Sequence, residues 1–441
     1  MKAEVMITTF TGGQEGTYFQ SAVFEKDMKN TENQVVNLYP EITYETFEGF
    51  GGAITDSAAY VYSLMDQQQK ERMLRDYFES GNMNYSVLRV PIDSCDFSLE
   101  PYEASSDGIY FSYGRQEKYI IPMLKDVEKI AGRPLEIMLS PWSPPAYMKT
   151  NEKRQKGGKL IEKYYKDYAE YICKYLLRFR DQGFNVRRVS LQNEANAAQK
   201  WDSCVYSALE ERKFLVEAFY PALQKNHLAD VEIYIWDHNK ERLYERAVET
   251  LDEVASKIVS GIAFHWYSGD HFEAMDLVRR RFPDKKLILS ESCLEYSKFD
   301  KTDVTNGIFA LIHEIIGDLN HGMCMFHDWN LCLDEQGGPN YAGNYCHAPY
   351  LFHTGKKRLL RQPTRSCFYH FSHFLVPGSV RIGHSKYTED IEMVSYRNPD
   401  GTRIAVFANK TNKQIPVVLR ENGEIAMITL LPESIATCSI K

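Results

Sequence analysis

The sequence contains no Cys-x-x-Cys pair, and its cysteines are odd in number, nine in 441 residues. A disulfide framework or a zinc knuckle is therefore unsupported. Several of the thiols, at Cys95, Cys173, Cys204, Cys293, Cys324, Cys332, Cys346, Cys367 and Cys438, sit in apolar runs, where a free thiol acts as a small hydrophobe in a reducing compartment. The longest apolar runs fall short of the roughly 20 residues a membrane span needs, and the opening MKAEVMITTF has no apolar core before a small-residue cleavage site. A cytoplasmic protein with no membrane span is expected. Positive charge is not in excess: 52 Lys and Arg face 60 Asp and Glu, for a net charge of −8. That balance excludes a partner held by a clustered basic surface, such as nucleic acid or an anionic membrane. The glycines Gly49, Gly51 and Gly52 lack the third glycine and the downstream acid of a dinucleotide-binding fingerprint. His238, His327 and His347 lack the short ligand spacing of a metal site. Neither a cofactor nor a metal is expected. Internal repeats and low-complexity linkers are missing as well.

What the chain has is an alternation of apolar strand-like runs and amphipathic helical stretches between residues 45 and 331. Eight runs qualify as strands, beginning at Phe47, Tyr85, Leu135, Arg188, Val231, Gly261, Lys286 and Met323. They are near-continuously apolar, as parallel strands covered on both faces are. Helical spacing joins Phe214, Leu215, Ala218, Phe219 and Leu223, and again Ile308, Leu311, Ile312, Ile315, Ile316 and Leu319, with Gly322 as a stop. Asp66 is placed to cap a helix running to Phe78. Eight such units predict a (β/α)₈ barrel over 45–376. Short strands with turn signals follow Pro377, including Asn398-Pro-Asp-Gly401, and residues 1–44 are also strand-like. The expectation is an attached antiparallel β-sandwich, discontinuous in sequence, built from 1–44 and 377–441.

In such a barrel the chemistry comes from the C-terminal ends of the strands. Those ends carry Asp56, Arg89, Asp96, Trp142, Asn193, Glu194, Asp237, His238, His265, Tyr267, Glu291, Asp328, Trp329 and Asn330. Burying charge there without use would cost several kcal/mol per group. Two glutamates on different strands, Glu194 and Glu291, fit glycoside hydrolysis, in which one carboxyl donates a proton and the other acts ionised. A cation beside Glu291, with Arg89 the candidate, would keep it charged. A metal-dependent barrel enzyme and a barrel with other or no chemistry remain alternatives to the carboxylate pair. An aromatic content of 13% suits sugar stacking and core packing alike.

The sequence resembles glycoside hydrolase family 30, the glucosylceramidase-like β-glycosidases. The segments that carry the resemblance are EGFGGAITDSAA at 48–59, LRVPIDSCDFS at 88–98, LSPWSPPAYMKTN at 139–151, QNEANA at 192–197, HWY at 265–267, LSES at 289–292, DWNLCLDEQGGPN at 328–340 and SHFLVPGSVRI at 372–382. The resemblance implies a retaining β-glycosidase, free of cofactor or metal, acting on β-glucosides or glucosylceramide-like substrates by a double displacement. It implies Glu194 as acid/base and Glu291 as nucleophile, with Arg89 and Tyr267 holding the nucleophile. Asp96, Trp142, Asn193 and Trp329 would contact the sugar, with His265 in support and Asn344 loosely matched. Ala195 stands where members often carry Pro, and Ser292 and Cys293 follow the expected nucleophile where small residues are common. An endo-acting β-1,6-glucanase or xylanase of the same architecture, and a sugar-binding barrel without turnover, are the competing readings. Oligomeric state is not legible.

Overall fold

The computed structural model describes residues 1–11 and 14–441. Eight parallel strands close a barrel: β1 (Gly49–Ala53), β2 (Val87–Ile92), β3 (Glu136–Pro141), β4 (Asn185–Ser190), β5 (Glu232–Asn239), β6 (Gly261–His265), β7 (Lys286–Ser292) and β8 (Met323–Asp328). Each pairs with the next, and β8 pairs with β1. Every strand arises from one of the eight apolar runs. β2 and β8 are buried along their whole length, because the barrel interior fills one face and helices cover the other. The glycines of β1 serve this closure. A Cβ on Gly51 would lie 1.7 Å from the Val87 carbonyl oxygen, so β1 and β2 approach only because that position has no side chain.

The outer helices follow their periodicity. Helix Gln67–Phe78 begins with a capping box in which Asp66 accepts from the Gln69 amide and the Gln69 side chain accepts from the Asp66 amide. Helix Thr305–Asn320 buries Ile308, Leu311, Ile312, Ile315, Ile316 and Leu319, and Gly322, at φ +103°, follows it. The stretch Ala208–Lys225 is helical as expected but passes through a π-turn at Leu215–Phe219. One element departs from expectation. Cys332–Asp334, Tyr350–His353 and Arg358–Arg361 form a three-stranded sheet after β8, and strands of three or four residues are too short to register as a period. Among the described residues no helix is long and apolar enough to cross a membrane.

Ten further strands form one hydrogen-bonded sheet in the order Gln14–Val23, Lys2–Thr11, Ser434–Ile440, Arg403–Asn409, Ile391–Arg397, Val380–Ser385, Val35–Thr46, Ile415–Glu421, Glu424–Leu430, Glu25–Lys26. It folds over a core of its own that includes Val5, Ile7, Val36, Met393, Phe407, Leu419 and Cys438. Its two ends meet where Gln20 exchanges side-chain hydrogen bonds with the Thr429 backbone. The result is a β-sandwich. Its outer-facing Tyr396, Ile404, Val406 and Ile435 join the barrel's core, and His370 of helix Pro363–Ser372 bonds Thr8 and Thr437 across the junction.

Candidate active site

A cavity of about 230 Å³ opens at the C-terminal ends of the barrel strands, with Asp96, Trp142, Asn193, Glu194, Tyr267, Glu291 and Trp329 in its wall. A larger open groove of about 760 Å³ lies between the sandwich and helix Pro363–Ser372, lined by ordinary surface groups such as Glu4, Gln20 and Asn398. Buried titratable groups and backbone strain gather at the smaller one.

The strain has a visible origin. Where β5 pairs with β6, Ala263 opposes Trp236 but Phe264 opposes His238, so Asp237 is an extra residue. One strand on, Phe264 opposes Leu289 and His265 opposes Glu291, leaving Ser290 unpaired. These bulges turn Asp237 and Ser290 toward each other, and the Ser290 hydroxyl donates to Asp237 Oδ1 at 2.5 Å. Trp236 (φ +72°), Asp237 (φ +48°) and Glu194 (φ +48°) all occupy the left-handed region, and the Glu194 amide donates to the Asp237 carbonyl at 2.8 Å. Three strained non-glycine residues at adjacent strand ends are a conformational cost kept for aiming side chains.

Arg89, fully buried, organises the floor. Its Nη1 donates to Glu291 Oε2 at 2.8 Å and to the Ser290 carbonyl at 3.1 Å. Its Nη2 donates to Asp237 Oδ2 at 2.8 Å and Asn193 Oδ1 at 2.9 Å, and Nε donates to Ser140 Oγ at 3.2 Å. All of its N–H directions are used, which fixes a guanidinium between two acids. Above it the indoles of Trp142 and Trp329 stack at 5.3 Å, and the guanidinium lies 4.9 Å from Trp142.

The two glutamates sit in different company. Glu291 takes Arg89 on one oxygen and the Tyr267 hydroxyl on the other, at 3.0 Å. Burial raises its carboxyl above the ordinary range, with His265 and Arg89 opposing and the charges of Glu194 and Asp237 adding. For Glu194, burial also pushes upward, but the nearby imidazoles of His265 and His238 and a bond from Gln199 (3.2 Å) bring it down to about 2. His265 Nδ1 lies 3.7 Å from Glu194 Oε1, while its Nε2 lies 3.1 Å from Asp237 Oδ1. Burial disfavours charge on that imidazole, yet Glu291, Asp237 and Glu194 together raise it to about 9, so the ring is cationic at neutral pH. Asp96, buried near both glutamates, is pushed well above the carboxylate range.

A buried carboxylate pair with unlike partners, on a barrel carrying a β-sandwich, can protonate one side of a glycosidic bond and attack or stabilise the other. The family model described as the glycosyl hydrolase family 30 TIM-barrel domain matches residues 47–375, and its beta sandwich domain matches 378–438. The chain belongs to glycosyl hydrolase family 30. As a family 30 protein it is a β-glycosidase. It is similar to the mouse lysosomal acid glucosylceramidase, 29% identical over 410 residues that span 88% of this chain and 79% of the mouse protein. The crystal structure of SrfJ from Salmonella typhimurium matches with a TM-score of 0.95 and 34% identity over the full length of both chains. That of the endo-beta1,6-glucanase BT3312 matches at 0.88 and 25%, again over both whole chains.

All nine residues singled out from the sequence of this family 30 enzyme lie in or beside the cavity. Arg89 and His265 are under its floor rather than on its surface. Of the other strand-end groups, Asp56 faces Leu99 and Arg115, and Asn330 accepts from Thr55 within the wall. Asp237 stood among the strand ends but not among the chosen residues, and it proves to be the hub of Arg89, His265 and Ser290. An acid directly after the apolar run Ile-Tyr-Ile-Trp is the signal for it. Gln199, Trp201, Glu295 and Lys298 also line the cavity and come from loops, where no periodicity marks them.

Proposed function

We propose that this family 30 glycosidase is a retaining enzyme. Glu291 attacks the anomeric carbon of a β-glycoside while the aglycone oxygen is protonated through Glu194. Glu194 then takes a proton from water, and that water releases the sugar from Glu291. The observation that carries the reading is the contrast between the two carboxylates. Glu291 has both oxygens held by Arg89 and Tyr267, which fixes the carboxyl in the cavity wall for attack, and Arg89 offsets part of the burial that raises it above the ordinary range. Glu194 has one oxygen facing two imidazoles, His265 raised to about 9 by the acids around it and His238 lowered by burial. In the free site the exchangeable proton rests on His265, one contact from Glu194, so Glu194 and His265 act as the acid together. Asp237 and Ser290 hold the ring for that transfer.

A cavity of about 230 Å³ suits a single sugar ring at the glycone position, which favours release of a terminal residue from a β-glucoside or a glucosylceramide-like substrate. Endo-acting β-1,6-glucanase activity is the second reading, supported by the TM-score of 0.88 to a protein of that name. Xylanase action and sugar binding without turnover are weaker, the last because both glutamates are present and held. Nine free, buried thiols support a reducing compartment such as the cytoplasm. The test is a panel of nitrophenyl α- and β-glycosides alongside β-1,6-glucan. Turnover of a β-linked aryl glycoside with little action on the polymer is the expected result. Preferential cleavage of the polymer would establish the second reading, and inactivity on all would remove both.

A further inference from the structure

Two cysteines at the cavity are not used by the mechanism above. Cys293, two residues beyond Glu291, lines the cavity and keeps 4% of its surface exposed, whereas Cys346, behind it, keeps none. Their sulfurs lie 3.2 Å apart, and Cys293 Sγ is also 3.3 Å from the Tyr267 hydroxyl that bonds Glu291. The backbone brings them together independently of the sulfurs. Segments 294–296 and 345–347 run side by side, with the His347 amide on the Leu294 carbonyl (2.8 Å), the Tyr296 amide on the Tyr345 carbonyl (3.0 Å) and an antiparallel bridge between Glu295 and Cys346. Cys324 and Cys332, by contrast, each donate to a backbone carbonyl.

We propose that Cys293 and Cys346 form a dithiol modification site at which hydrogen peroxide that enters the sugar cavity closes a disulfide and switches off the neighbouring catalytic group. The Cys293 sulfur, giving its proton to water, attacks one peroxide oxygen and breaks the O–O bond. The products are a sulfenic acid and hydroxide, and the hydroxide takes up that proton as water. The Cys346 sulfur then displaces the sulfenic hydroxyl, the S–S bond forms, and the departing hydroxide leaves as water with the Cys346 proton. Each sulfur loses one electron and the peroxide is reduced to two waters. Closing from the present separation to a bond of about 2.05 Å draws the segment after β7 and the 344–346 loop together by about 1 Å. That movement withdraws Cys293 from Tyr267 and shifts Asn344, which lines the cavity with Asp96. Burial holds both thiols above the ordinary thiol range, so the pair reacts slowly with alkylating agents and peroxide alike, and the oxidation is followed to completion.

The experiment treats the reduced full-length protein with hydrogen peroxide and follows intact mass, tryptic cross-links and aryl β-glycoside hydrolysis before and after dithiothreitol. The expected result is a loss of two hydrogens, a Cys293–Cys346 peptide, and a fall in kcat of about tenfold or more that dithiothreitol reverses. Cys346→Ser, compared with its own reduced rate, should show neither the cross-link nor a dithiothreitol-reversible loss. Absence of the cross-linked peptide in the wild-type protein overturns the proposal, as does a cross-link that leaves kcat unchanged. The wild-type mapping decides even if the variant does not fold, and it reads out by mass whatever the glycosidase substrate is.

Discussion

Glu194 and Glu291 share a cavity, and their roles separate by what each loses. Glu291→Ala should abolish turnover of every substrate, because no other group is placed to form the glycosyl intermediate. Glu194→Ala should still react with substrates whose leaving groups need little protonation, such as dinitrophenolate, while losing about 10²–10⁴-fold on poor ones. Azide should restore the Glu194→Ala rate by trapping the sugar as the β-glycosyl azide. A β-azide from the Glu291 variant and an α-azide from the Glu194 variant would reverse the two roles. The shared proton makes a second prediction. Burial lowers His265, but Glu291, Asp237 and Glu194 outweigh it and hold the ring above its ordinary value, so it is protonated below about 9 and neutral above. Activity that needs this proton is present below that pH and lost above it. In His265→Gln the alkaline limb should move to lower pH, toward the range of Glu194 itself, as read from kcat/KM against pH. An unmoved limb would remove His265 from the proton path. At this scale the sequence carried the acids, the arginine and the indoles, because each follows an apolar strand. It suggested that Arg89 would keep Glu291 charged and leave the proton to Glu194, whereas burial raises Glu291 and the His265 and His238 imidazoles bring Glu194 down to about 2, through contacts across bulges that no one-strand pattern encodes.

At the scale of elements, all eight barrel strands were legible because strands covered on both faces leave continuous apolar runs. The capping box at Asp66 and the stop at Gly322 were legible because each is a local interaction. The π-turn at Leu215–Phe219 was not, since one i→i+5 turn inside a helix barely shifts the apolar spacing, nor were the short strands after β8, since three or four residues are too few to show a period. The glycine cluster of β1 was recognisable as something other than a phosphate loop, but its purpose needs the neighbouring strand. Gly51→Ala should destabilise the barrel by about 3 kcal/mol, the upper end of the overpacking range, because the new methyl meets the backbone of β2 rather than a side chain that can move. A urea midpoint unchanged from wild type would contradict this packing argument.

For the whole molecule, we propose that residues 1–44 and 377–441 fold as one unit. Strand Lys2–Thr11 runs beside Ser434–Ile440 from Ala3–Ile440 to Thr9–Ser434, and Val35–Thr46 sits between Val380–Ser385 and Ile415–Glu421. Deleting residues 1–44 would uncover these ladders and the core beneath them. The deletion variant should melt lower or aggregate, and an unchanged Tm with unchanged solubility would contradict the proposal. Such a pairing, separated by more than 400 residues, was approachable from the sequence only because neither end has enough strands to fold alone. The barrel and sandwich together present one catalytic pair, and the central claim about that pair is its stereochemistry. The direct measurement is a proton NMR time course of β-glycoside hydrolysis, read before mutarotation. The β-anomer as first product is the predicted result, since two inversions at Glu291 restore the configuration. The α-anomer appearing first would contradict the double displacement.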